Sequence, residues 1–142
     1  MFKKLKSNKK GFTLVEVIVV LVILAILAAI MIPSMTGWID KAKNQSILVE
    51  ARSALLAAQT LVSEKYAKAN GVTVTFGTKA GTSVVTYAEI KDLAKFLGTA
   101  SGGTANKDGL VMGLMYTDAG GRSISYKVDT NGVGAWGDVI TP

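Results

Sequence analysis

Residues Leu14 to Ile32 form a run of nineteen side chains, all apolar except one, Glu16. A stretch of that length limits the chain to few folds. At ~1.5 Å rise per residue it spans the ~30 Å hydrocarbon core of a bilayer as a single helix. A carboxylate inside such a segment is costly: an acid at the centre of a spanning helix is disfavoured by roughly 2.5–3.5 kcal/mol on insertion scales. Near the start of the span, snorkelling softens that cost without abolishing it. Charged residues so placed mark function as a rule, and Glu16 is therefore the first candidate site residue.

The run follows a short basic head, Lys3, Lys4, Lys6, Lys9 and Lys10, and then Gly11-Phe12-Thr13. An ordinary secretory signal also begins with positive charge. Its apolar core is roughly 7–15 residues long, however, and it ends in an Ala-x-Ala-like site. Here the run is longer, and Ala25, Ala28 and Ala29 lie at the wrong spacing. A lipoprotein anchor would need a cysteine, and the chain has none. By the positive-inside rule the lysines stay cytoplasmic, and everything after Pro33 lies outside a cytoplasmic membrane crossed once. A plain single-pass anchor with an incidental glutamate is the alternative reading of these residues.

Lys10-Gly11-Phe12-Thr13-Leu14-Val15-Glu16 resembles the processing and assembly motif of type IV pilins and their relatives, the pseudopilins. The resemblance covers about residues 1–40. It implies that a prepilin peptidase cuts between Gly11 and Phe12 and that the new amine of Phe12 is methylated. Phe12 and Glu16 would then serve filament assembly. Residues 1–11 would be the leader, 12–37 the transmembrane and assembly half of a long helix, 38–70 its amphipathic half, and 71–142 a globular sheet domain. The implied fold is α+β, a long N-terminal helix packed on an antiparallel sheet of three or four strands. In the family, a proline at the place of Pro33 marks a kink. Pro33 and Gly37 are accordingly expected to break the helix, although a simple bend at the membrane surface would explain them too.

The charge balance agrees with a leader. Sixteen basic and ten acidic residues give a net +6, but five of the basic ones precede Gly11. Without them the balance is eleven to ten, so the basic pI describes a topogenic head and not a nucleic-acid-binding surface. The absence of cysteine and histidine excludes disulfides, thiol chemistry, imidazole bases and the usual zinc sites. No nucleophile–base pair or phosphate loop is visible, and no enzymatic activity or cofactor is expected.

From Trp38 to Ala69 there is no glycine or proline, and good helix formers dominate. Leu48, Ala51, Leu55, Ala58 and Val62 make an apolar stripe at helical spacing, broadened by Ile47, Leu56 and Leu61. Asn70-Gly71 provides a left-handed end. Beyond it, Val72, Val74 and Phe76 alternate as a short strand. Thr86-x-x-Glu89 is a capping box ahead of a small helix carrying Ile90, Leu93, Ala94 and Leu97 and closed by Gly98. Residues 98–109 read as a surface loop. Strands follow at Leu110–Tyr116, Ile124–Val128 and Val133–Ile140, the last two joined by an Asn131-Gly132 hairpin. No internal repeat stands out.

Two further patterns invite chemistry. Asp129-x-Asn131-Gly132 is like the opening of a calcium loop, but the twelfth position is Ile140 where an EF-hand needs an acid, and a hairpin explains the residues. Lys65, Tyr66 and Lys68 could contact nucleic acid, although a solvated helix face is the plainer explanation. Trp38 sits where the helix meets the headgroups, an interfacial anchor. Together these features point to a structural subunit of a type IV pilus or similar surface filament. The expected partners are further copies of itself, the prepilin peptidase, an assembly platform in the membrane and, before assembly, the lipid bilayer. A pseudopilin of a secretion or DNA-uptake machine and a non-polymerising membrane-anchored binding module are the alternatives.

Overall fold

The computed structural model describes residues 11–142, and the lysines expected to belong to a leader, Lys3, Lys4, Lys6, Lys9 and Lys10, lie outside them. The chain divides into two compact units, one ending at Lys41 and the other Ala42–Pro142. One helix, α1 (Leu14–Lys68), contributes to both. In the first unit every described side chain is exposed, from Gly11 through Pro33 and again from Met35 to Lys41. The helix is long and apolar enough there to cross a membrane.

Helix α1 passes through Pro33 and Gly37 without interruption in the single chain. Proline removes one backbone donor, and its ring crowds the preceding turn. In an apolar segment, however, opening the helix would leave further carbonyls with no partner, so the helical form persists. The Thr36 hydroxyl helps by donating to the Pro33 carbonyl oxygen at 2.9 Å. At the far end, Asn70 (φ 52°) and Gly71 (φ 82°) turn the chain out of the helix in the left-handed region, as their identities suggest.

The second unit is a helix on a sheet. Strands β3 (Thr99–Ala105), β4 (Val111–Thr117), β5 (Ser123–Val128) and β6 (Gly134–Trp136) form an antiparallel meander in that order. Between α1 and the meander lie β1 (Thr75–Gly77) and β2 (Val84–Thr86), a small parallel pair, followed by helix α2 (Tyr87–Ala94). The core joins Ile47, Ala51, Ala54, Ala58 and Val62 of α1 to Leu114, Tyr116 and Ile124 of the sheet and to Val85, Ile90 and Phe96 between them. The positions of α1 turned most fully inward are alanines, so most of the large buried side chains are supplied by the other elements. Leu56 does not broaden this stripe; it is 70% exposed on the other side of the helix.

Polar contacts also fix the helix to the sheet. The Gln59 side chain donates to the Gly109 carbonyl and accepts from the Val111 amide, both at 2.9 Å, acting as a peptide group laid against the start of β4. The buried Tyr116 hydroxyl donates to Glu50. Burial, reinforced by that carboxylate, raises the tyrosine far above its ordinary pKa.

Residues 99–105 are strand β3 and not the surface loop their glycines suggest. The strand pairs with β4 through a bulge between Ser101 and Thr104 that absorbs Gly102 and Gly103. A Cβ at Gly103 would come within 2.5 Å of the Phe76 ring, so the glycine is there for close approach. The capping box of α2 is present in both directions, Glu89 amide to Thr86 hydroxyl and Thr86 amide to Glu89 carboxylate. The helix ends at Ala94 with Lys95 in the left-handed region, earlier than the Gly98 stop expected. Gly98 has another task, since a Cβ there would lie 2.2 Å from the Thr117 carbonyl oxygen.

All three turns of the meander share one construction. Asn106, Asp118 and Asp129 each stand four residues before the next strand's entry, at Leu110, Arg122 and Val133. In each, the side-chain Oδ1 accepts the amides two and four residues on, at 2.8–3.0 Å. The fourth residue is Gly109, Gly121 or Gly132, with φ between 76° and 82°. Asp129 Oδ1 is thus committed to the hairpin, as the turn reading of Asp129-x-Asn131-Gly132 has it.

Candidate functional site

The start of α1 is built by Thr13. Its hydroxyl oxygen accepts the Glu16 amide at 3.2 Å, and its carbonyl accepts the Val17 amide at 3.3 Å, which makes it the N-cap. Gly11 and Phe12 precede the helix without regular structure. Glu16 therefore falls in the first turn, where the unpaired amides of the helix start favour an acid. Phe12 and Glu16 lie four residues apart and line one shallow groove with Val17, Val20 and Leu21. The phenylalanine is 82% exposed. The structure thus brings a charged side chain and the residue expected to become the N-terminus onto one edge of an uncovered apolar helix.

Among the described residues, nothing requires glycine at positions 11 or 37. A Cβ at either would meet no atom within 4 Å, and neither residue has the positive φ that favours glycine. This contrasts with Gly98 and Gly103, which the fold itself demands.

Lys65, Tyr66 and Lys68 do not form a free basic patch. The Lys65 ammonium is largely buried, 2.9 Å from Glu89 and 2.6 Å from the Val84 carbonyl oxygen. The hydrogen bond from Lys65 and the Thr86 amide hold the Glu89 carboxyl below its ordinary range. Tyr66 packs between Gly71 and Gly109. Lys68 pairs with Glu64 at 2.5 Å. Trp38 is 74% exposed, with the Lys41 ammonium 5.5 Å above its ring. Among the described residues, no group of three or more metal-binding side chains is found.

One feature escaped the periodicity of the sequence. Val49 and Leu56, seven residues apart and out of phase with Ala51 and Ala58, lie exposed on the side of α1 away from the sheet. Leu93 and Leu97, read as the buried face of a small helix, are 52% and 82% exposed. Leu97 falls beyond the left-handed end at Lys95, which turns it outward.

The prokaryotic N-terminal methylation motif matches residues 6–32. The chain is 42% identical over 43 residues to type II secretion system core protein G of Klebsiella michiganensis, covering 30% of each chain. It is 38% identical over 58 residues to type IV major fimbrial protein FimA of Dichelobacter nodosus, covering 41% of this chain and 37% of that one. The chain thus spans about a third of the length of these curated relatives. No solved structure matches. The resemblance carried by Lys10–Glu16 holds: the chain bears the prepilin-type N-terminal motif, and its long helix and antiparallel sheet are pilin-like in architecture.

Proposed function

We propose that this protein is a structural subunit of a type IV pilus or similar surface filament, assembled by bundling of α1 after removal of residues 1–11. The observation that carries this reading is the union of a methylation motif over residues 6–32 with an apolar stretch of helix exposed from Leu14 through Pro33. Such a helix needs either lipid or copies of itself around it. Cleavage after Gly11 places a cationic amine on Phe12 near the carboxylate of Glu16. In a bundle, the amine of an incoming subunit meets Glu16 of one already in place. Apolar contacts alone give little register in lipid, so the ion pair sets recruitment and alignment. The protein performs no reaction of its own. Its partners are the peptidase, the bilayer, a membrane assembly platform and further copies.

A pseudopilin of a secretion machine is the second reading, favoured by the similarity to type II secretion protein G. Mechanical shearing of cells separates the two. Long sedimentable fibres containing this chain, with an intact mass starting at Phe12 and one added methyl group, support the pilus. A chain that stays in the membrane fraction, processed but never in long fibres, supports the pseudopilus. A chain still starting at Met1 there would end both readings.

A further inference from the structure

We propose that the cleft between the outward side of α1 and helix α2 seats Trp38 and Lys41 of a second copy. The inference rests on the filament reading and deepens it by naming a contact outside the membrane half of the helix. Two adjoining hollows meeting at Lys95 make the cleft, one beside Val49 and Leu97 and one beside Leu93. Its apolar walls are large side chains held open to solvent within a folded unit whose other leucines are mostly packed inward. Its charged lining is acidic: Glu50, Glu64, Glu89 and Asp92 against the single Lys95. Glu89, Glu64 and Asp92 pair with Lys65, Lys68 and Lys95, which leaves Glu50, held by the Tyr116 hydroxyl, as the lining carboxylate that no ion pair offsets among the described residues.

The occupant must be apolar with a positive edge. Residues 38–43 of the chain have that character: Trp38 is 74% exposed, and the exposed Lys41 and Lys43 outnumber Asp40. Lys41 lies over the indole face, so apolar surface and cation form one unit. Trp is the residue type most often found as an interface anchor, and buries about 150–250 Å² when seated. Before assembly the ring has the headgroup belt to rest in. A subunit drawn into a filament leaves that belt, and a copy presenting an apolar, acid-rimmed cleft replaces it. A standard interface needs about 800 Å² per partner, so this contact acts as one anchor beside the bundled helices. The contact is heterologous, one surface of each copy meeting a different surface of the next, which is the form that propagates an open polymer.

The absence of cysteine from the chain makes the test direct. Ile39→Cys and Leu97→Cys are produced as two single variants together with the wild-type chain, so that filaments form whatever the variants contribute. Sheared filaments are then oxidised. The expected result is a covalent dimer joining the two variants, about ten-fold more abundant than with Val72→Cys in place of Leu97→Cys, because neighbours held in contact react at high effective concentration. Filaments containing both variants but no more dimer than the Val72→Cys control overturn the proposal while leaving the filament reading intact. Failure of the wild-type chain alone to form any filament removes that reading, and this inference with it.

Discussion

The Lys65 ammonium lies 2.9 Å from the Glu89 carboxylate, joining the last turn of α1 to the first turn of α2. The same carboxylate closes the capping box on Thr86, so one side chain serves two elements. Its folded pKa is depressed, chiefly by Lys65 and then by the Thr86 amide. A depressed acid contributes stability that is fully present above its unfolded pKa, about 4.3, and is lost as pH falls through the folded value. Glu89→Gln is expected to cost about 1 kcal/mol at neutral pH, a figure kept small because Glu89 is partly exposed. The gap between variant and wild type should begin to narrow as pH falls below the unfolded pKa and close only as pH falls through the lower folded value, where the native carboxylate protonates. Urea unfolding of both proteins across pH checks this, and a gap that persists at low pH would count against it.

Gly11 is the residue after which the proposed cleavage falls, and among the described residues no atom lies within 4 Å of a Cβ built there. Gly11→Leu is expected to leave uncut precursor in the membrane with the fold of residues 42–142 unchanged. Intact mass and circular dichroism on the same preparation distinguish a processing defect from a folding one.

Glu16→Val removes a charge from an exposed apolar helix. It should insert at least as well as wild type and still be cut after Gly11, because neither step uses the carboxylate. If the proposed pairing sets assembly, filament yield should fall to few or none, since leaving one member of a buried ion pair alone costs about 3–5 kcal/mol. Normal filament numbers from a strain making only Glu16→Val would sink the assembly role.

Pro33 is tolerated inside a continuous helix in the single subunit, at the expense of one backbone hydrogen bond. On the filament reading, extension of α1 is expected first around Ile32–Gly37, where that hydrogen bond is missing. Pro33→Ala should leave insertion and cleavage intact and give filaments that stretch less under force. A filament map with unbroken helix through residues 26–40 would argue against extension there.

The sequence made the framework legible wherever one residue type answers one physical demand. Thr86 and Glu89 announce a helix start, Asn131-Gly132 a hairpin, and Ala51, Ala58 and Val62 a buried helical stripe, and the structure has each. Strand β3 was hidden because its glycines serve a bulge and a neighbouring ring, a tertiary need that local propensity does not express. Lys65 read as solvated because its partner is 24 residues away on α2. Leu56 and Leu97 read as core because they are leucines near the right phase; only the placement of the sheet and the early stop at Lys95 turn them outward. The repeat among the three turns is faint in the sequence because it consists of one side-chain oxygen and one glycine in five residues.

That turn construction has a consequence for how the exposed tips can change over time. In each turn the first residue's oxygen and the fourth residue's glycine carry the geometry, while Lys107, Ala119 and Thr130 at the second position make none of the turn's hydrogen bonds. Those places can be rewritten in charge, size or polarity with the strand register kept. A population under pressure to alter its surface could therefore vary the lettering at both ends of the sheet while inheriting the same scaffold.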